Sequence, residues 1–149
     1  MTLEEKIKST IRDVADFPKP GILFKDITPV LASPPLVHEI VQALAQEFKP
    51  LSVDAIVGIE SRGFIFGSLL AHALNLPFIP VRKAGKLPFH TVKESYALEY
   101  GNATIEIHND ALTPGQRVLI HDDLLAPGGT AAAAGRLVTK LGAHVEAFA

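Results

Sequence analysis

Apolar positions along the chain change rhythm near residue 50. Before it they recur every three or four residues, as on one face of a helix. After it they come in short β-branched runs separated by helical stretches. Thr2 and Glu5 form a capping-box pair, and Leu3, Ile7, Ile11 and Val14 then predict a first helix lasting until Asp16-Phe17-Pro18-Lys19-Pro20-Gly21. Proline fixes φ and glycine permits φ > 0, so that stretch reads as a shaped loop. Ser33 and Pro34-Pro35 open a second helix. Leu36, Val37, Ile40, Val41, Leu44, Ala45 and Phe48 make its buried stripe, and Pro50 stops it.

In the second part, Ala55–Ile59, Phe78–Val81 and Arg117–His121 read as buried strands, and His144–Phe148 begins another. Thr104–Ile107 alternates with period two, as a half-exposed strand does. Gly63–Leu74 is helical and apolar almost all round, which implies burial on more than one side. Thr130–Leu141 is a further helix, ended by Gly142. Strands alternating with helices of this length predict one α/β domain with a mainly parallel twisted sheet and helices on both faces. Residues 84–101 contain Gly85, Pro88 and Gly101, few apolar residues and no clear period. A loop this long reads as a functional lid, or as a plain surface hairpin.

Composition narrows the function. Hydrophobic residues are 48% and charged residues 20% of 149, the balance of a folded chain of one-domain size. A net charge of −2 argues against a nucleic-acid binder that works by neutralising phosphates. The absence of cysteine removes disulfides, thiolate metal sites and a cysteine nucleophile. Met1-Thr2-Leu3-Glu4-Glu5-Lys6 lacks the layout of a secretion signal, and no apolar run reaches the roughly 18 residues of a membrane span. A cytoplasmic, membrane-free protein is therefore expected.

The strongest local signal is Val118-Leu119-Ile120-His121-Asp122-Asp123-Leu124-Leu125-Ala126-Pro127-Gly128-Gly129-Thr130. An apolar strand runs into two acids, then a glycine pair and a hydroxyl residue, then a helix. Glycines let main-chain N–H groups close round an anion, and the helix N-terminus adds partial positive charge, which suits a phosphate. The acids would repel that phosphate. They are better placed to accept hydrogen bonds from neighbouring sugar hydroxyls, or to hold Mg²⁺ through water. A ribose phosphate is the implied ligand, with an ordinary strand–turn–helix carrying an acidic cap as the plain alternative. Glu60-Ser61-Arg62-Gly63 lies at a second strand-to-helix junction, where N–H groups again face an anion; Arg62 could instead pair with Glu60. Arg82, Lys83 and Lys86 put three cations within five residues.

The stretch Asp122–Thr130 resembles the phosphoribosyl pyrophosphate (PRPP) motif of the type I phosphoribosyltransferases. Four more segments are similar, in order, to the adenine-using branch of that family: 17–27, 60–64, 82–88 and 96–101. The resemblance implies that family's fold, with a flexible lid and a small N-terminal hood. It also implies an activity, transfer of the phosphoribosyl group of PRPP to adenine with Mg²⁺, and a homodimer. Another purine as acceptor, or a non-catalytic PRPP-binding regulator, are the alternatives.

By the same resemblance, Ala126, Pro127, Gly128, Gly129 and Thr130 bind the phosphate while Asp122 and Asp123 hold the ribose. Arg62, Arg82, Lys83 and Lys86 face pyrophosphate, and the peptide between Glu60 and Ser61 is cis. Leu23, Phe24 and Lys25 frame the purine, with Phe24 stacking on it or serving simply as a core aromatic. Glu99, beside Tyr100, takes the N9 proton of adenine or favours positive charge on the ribose. The chain departs from the family pattern at Pro127, where threonine is usual, and at His121, where an apolar residue is. Proline lacks an N–H and a hydroxyl, so weaker phosphate binding is expected. The chain ends at Ala149 inside a strand pattern, so the reading is one domain, 1–149, lacking the family's C-terminal elements.

Other chemistries fit poorly. His38-Glu39 lacks a second histidine, since residue 42 is Gln42. Gly58-Ile59-Glu60-Ser61-Arg62-Gly63 is one residue too long for a nucleophile elbow. Gly85-Lys86 lacks the earlier glycine of a nucleotide P-loop, and the six histidines show no ligand spacing.

Overall fold

A computed structural model describes residues 1–98, 101–124 and 129–149. It divides into two compact units, residues 1–46 and 47–149.

In the first unit, helix α1 (Leu3–Thr10) starts with the capping box: the Glu5 N–H donates to Thr2 Oγ1 at 3.2 Å, and the Thr2 N–H to Glu5 Oε2 at 2.7 Å. The helix expected to continue past Val14 stops at Thr10, and this is a correction. Arg12–Ala15 is instead strand β1, antiparallel to β2 (Leu23–Asp26), with Val14 opposite Phe24. Helix α1 buries none of its residues, so helical spacing at Ile11 and Val14 had no apolar surface to reward it. The chain reverses where the prolines and glycine predicted a shaped loop. Asp16 takes φ 58°, Gly21 takes φ 87°, and the Gly21 N–H donates to Asp16 Oδ1 at 2.9 Å. A short helix, α2 (Thr28–Leu31), precedes α3 (Pro34–Phe48), whose predicted stripe is buried or half-buried throughout.

The second unit opens with a 3₁₀ turn at Lys49–Leu51. It continues with β3 (Ala55–Ile59), α4 (Gly63–Leu74), β4 (Phe78–Lys83), β5 (Thr91–Leu98), β6 (Gly101–His108), β7 (Arg117–His121), α5 (Thr130–Lys140) and β8 (His144–Phe148). Among the described residues these strands form a six-stranded sheet in the order β5-β6-β4-β3-β7-β8. The four strands β4, β3, β7 and β8 run parallel, as the αβ alternation predicted; β6 is antiparallel to β4, and β5 to β6.

Side-chain alternation separates the two faces. Ala55, Val57, Ile79, Val118 and Ile120 pack with Ala133, Ala134, Leu137 and Val138 of α5. On the other face α4 comes so close that a Cβ at Gly67 would lie 2.9 Å from the Phe78 ring and 3.3 Å from His121.

Two readings are corrected at the sheet edge. Residues 91–98, taken as part of a long loop, are strand β5, paired with β6 along its whole length. Glu106, taken as the exposed side of a half-exposed strand, is 2% exposed. The strand Phe78–Val81 also runs two residues further, so Arg82 and Lys83 lie on β4 itself.

Candidate active site

The parallel strands β3 and β7 are neighbours, and both end at the same edge of the sheet. After β3 the chain passes through Glu60 and Ser61, joined by a cis peptide as the resemblance implied, and enters α4 at Gly63. A side chain at Gly63 would put its Cβ 2.9 Å from the His121 carbonyl and 3.4 Å from Asp122 Cα. Glycine there lets the first turn of α4 rest directly on the end of β7. Arg62 is thereby carried to the acids: its Nε lies 3.1 Å from Asp123 Oδ2. Glu60, the alternative partner of Arg62, pairs with Arg82 and Lys86.

The two acids are incompletely satisfied. Asp122 Oδ1 accepts the Asp123 N–H at 2.8 Å, and the Asp122 N–H donates to the Ala149 carbonyl at 3.1 Å. Burial, followed by the adjoining Asp123, pushes the Asp122 carboxyl up to about 6, with Arg62 opposing. Asp123 Oδ1 is buried and has no hydrogen-bond partner among the described residues. A buried carboxylate oxygen without a donor is costly, and a ligand hydroxyl would relieve it. Next to them Gly129, at φ 64°, leads into Thr130 and α5. The Gly129 backbone is covered by Tyr96 of β5, whose Cδ2 would be 3.1 Å from a Cβ at that position.

His121 is buried, and burial holds its pKa down against the Ala149 backbone and the Asp123 charge. Neither ring nitrogen makes a hydrogen bond of good geometry among the described residues. The imidazole packs on α4 as the apolar residue usual there would.

The basic cluster is already engaged. Glu60 Oε2 receives Lys86 Nζ at 2.7 Å, while its Oε1 receives the Lys83 N–H at 2.6 Å and lies 3.3 Å from Arg82 Nε. Burial would raise this carboxyl, but the bonds from Lys86 and Lys83 and the charges of Lys86 and Arg82 hold it below the usual range. The Arg82 guanidinium also lies over the Phe64 ring, 6.0 Å from its centre. Among the described residues the Lys83 ammonium has no ion pair. Arg62, Arg82, Lys83, Lys86, Asp122, Asp123, Gly129 and Thr130 thus all lie at the ends of β3, β4 and β7 or at the start of α4 and α5. Sequence reasoning missed Glu60 as the holder of Arg82 and Lys86; its place two residues before Arg62 was the available signal.

Leu23, Phe24 and Lys25 lie on β2 of the first unit. Leu23 is exposed, the Phe24 ring meets Phe17 edge-on at 5.1 Å, and Lys25 Nζ pairs with Asp13 at 2.6 Å. Glu99, Tyr100, Ala126, Pro127 and Gly128 lie outside the described residues.

A sheet of this order, with a donor-poor acid pair and a cation cluster at one edge, is the phosphoribosyltransferase arrangement. The model of the phosphoribosyl transferase domain matches residues 26–148, and the chain belongs to that family. Its similarity is to the adenine branch. It is 56% identical over 146 residues to the adenine phosphoribosyltransferase of Cytophaga hutchinsonii, covering 98% of this chain and 81% of that one. The crystal structure of adenine phosphoribosyltransferase from Rhodothermus marinus matches with a TM-score of 0.92 at 56% identity, over 99% of this chain and 84% of the other. The Saccharomyces cerevisiae enzyme, complexed with D-2,5-dideoxy-2,5-imino-altritol 1,6-bisphosphate and adenine, matches with a TM-score of 0.89 at 41% identity, over 99% and 89%.

Proposed function

We propose that this chain transfers the 5-phosphoribosyl group from PRPP to adenine, giving AMP and pyrophosphate, with Asp122 and Asp123 holding the ribose. The observation that carries the residue assignment is the buried Asp123 Oδ1 without a donor, beside a carboxyl that keeps its proton up to about pH 6. Ribose hydroxyls are donors of the right kind for both acids. Thr130 and Gly129 at the N-terminus of α5, together with Ala126, Pro127 and Gly128, take the 5′-phosphate.

Arg62, Arg82, Lys83 and Lys86 take the pyrophosphate. In the resting protein Arg62 leans on Asp123, and Arg82 and Lys86 on Glu60, so substrate binding exchanges carboxylate partners for phosphate ones. Leu23, Phe24 and Lys25 receive adenine, with Phe24 stacking on the ring and the backbone on either side pairing with its polar edge. Glu99 takes the N9 proton or favours charge on the ribose, and Tyr100 lines the substrate. As the bond to pyrophosphate lengthens, positive charge grows on the anomeric carbon. Fixed charges already in place would contribute more than any proton transfer.

No group of three or more acidic or histidine ligands that could hold a metal is present among the described residues. Two adjacent carboxylates, one short of a donor, nevertheless fit Mg²⁺ reached through water and the oxygens of PRPP. When bound, Mg²⁺ would share the charge of pyrophosphate. We read the enzyme as a cytoplasmic homodimer and residues 1–149 as one phosphoribosyltransferase domain. The half-exposed apolar surface of α4 supports the dimer, and the family match across residues 26–148 supports the single domain. No helix among the described residues is long and apolar enough to cross a membrane.

The test is pyrophosphate release from PRPP and Mg²⁺ with each nucleobase in turn. Release with adenine is expected. Release with hypoxanthine or guanine instead, or PRPP binding with no turnover, would overturn the reading.

A further inference from the structure

Lys83 ends β4 and Lys86 lies in the turn that follows, and every backbone N–H from residue 83 to 87 is already spoken for. The Lys83 N–H goes to Glu60 Oε1 at 2.6 Å, the Ala84 N–H to the Thr104 carbonyl at 3.0 Å, and the Lys86 N–H to the Lys83 carbonyl at 3.3 Å. The remaining two, Gly85 and Leu87, both donate to Oε1 of Glu106 at 3.1 Å. Such a turn has no N–H groups to offer an anion, unlike the starts of α4 and α5. Only its side chains can reach one, so its grip depends on where the turn is held.

Glu106 does the holding from the far side. It sits in the middle of β6, directly across from Arg82 on β4 and Lys93 on β5. Its second oxygen accepts the Thr91 hydroxyl at 3.2 Å. Burial would raise this carboxyl, yet the bonds from Leu87, Thr91 and Gly85 and the Lys93 charge hold it below the usual range, so it is anionic at neutral pH. Lys86 lies between the two residues that Glu106 pins, with its ammonium on Glu60 at 2.7 Å.

We infer that Glu106, which does not itself touch substrate, is a positioning residue for pyrophosphate: it fixes the 84–87 turn so that Lys86 faces the leaving group beside Lys83, which the end of β4 already holds. The inference rests on the reading that these lysines bind pyrophosphate. Reach, not charge, is what the role requires. A glutamine at 106 keeps the geometry, since its carbonyl oxygen can accept both backbone N–H groups and its amide can donate to the Thr91 hydroxyl. An aspartate keeps the charge but is one methylene short.

Two variants, Glu106→Gln and Glu106→Asp, separate these requirements. A displacement of about 1 Å can cost orders of magnitude, so Glu106→Asp is expected to raise the KM for PRPP about tenfold, with kcat and the KM for adenine within about twofold of native. Calorimetric titration with pyrophosphate should show the same loss of about tenfold, and Glu106→Gln should stay within about threefold of native in both measurements. Three results would overturn the inference: an aspartate variant that binds pyrophosphate like the native protein, a glutamine variant as weak as the aspartate one, or a loss shared equally by adenine and PRPP. A native protein that made no AMP would count against the proposed reaction alone, because the pyrophosphate titration would still decide the role of Glu106.

Discussion

The acids at 122 and 123 and the acids at 60 and 106 lie on one sheet or just past its strand ends, yet the fold treats them in opposite ways. Around Glu60 and Glu106 it supplies donors for both carboxylate oxygens, and both carboxyls are held below their ordinary range despite burial. After β7 it buries Asp122 and Asp123, leaves one oxygen without a donor among the described residues, and pushes Asp122 up to about 6. The first pair is complete in the resting protein and acts as scaffold. Among the described residues the second is incomplete, and in the proposed reaction ribose hydroxyls would supply the donor it lacks. Perturbed carboxyls therefore point to the reacting centre here only when the perturbation is unrelieved.

The sharpest way to break this contrast is to neutralise the incomplete side. Asp123→Asn should lower kcat/KM for PRPP by about two to three orders of magnitude, read from initial rates, if the pair stabilises the ribosyl charge. A loss no larger than that of a surface substitution would erase the distinction.

The second test concerns pH. Folded Asp122 keeps its proton up to about pH 6, whereas the unfolded group loses it near 3.8. Between those values the folded state holds the extra proton, so this group's contribution to stability falls as pH rises through the window and stays low above it. Asp122→Asn should therefore raise Tm at pH 7.5 and give no gain at pH 3.5, by calorimetry, while lowering activity. A gain equal at both pH values would contradict the assignment.

Glu60 runs the other way. Its folded pKa lies below the usual 4.5, so its stabilisation is present above that value and is lost as pH falls through the folded pKa. Glu60→Gln should lower Tm by about 4 °C at neutral pH, a difference that shrinks below pH 4. The smallest expected effect is at the phosphate turn: Pro127→Thr restores an N–H and a hydroxyl and should lower the KM for PRPP by about threefold. An unchanged or higher KM would contradict it.

Much of this was legible in the chain. The β-branched runs at 55–59 and 117–121 and the apolar stretch 63–74 matched their elements to the residue, because buried parallel strands leave little room for polar interruption; the burial of α4 on more than one side did not follow, since Ser68, Leu69, His72 and Ala73 are exposed. The acid pair and the cation cluster were legible because each is a local run of like charge. Strand β5 was hidden because Glu94 occupies an inward position between apolar Val92 and Tyr96. Its carboxylate there meets Arg136 at 3.1 Å and Lys140 at 2.7 Å on α5, partners 42 and 46 residues away that no local window can see. Glu106 was misjudged on the same grounds, since an acid between Ile105 and Ile107 reads as solvent-facing unless its three donors are known. The β1–β2 hairpin was missed because Ile11 and Val14 happen to keep helical spacing.

Gly63 sets how closely the start of α4 approaches the end of β7. In the proposed reaction the bond to be cleaved would run from a sugar held past β7 to a departing group held where α4 begins, and those two places meet where the His121 carbonyl faces the bare α-carbon of Gly63. One absent methyl is thus the spacer between them. Any larger residue at that seam would pry apart the two ends of a single stretching bond, whatever it left intact on either side.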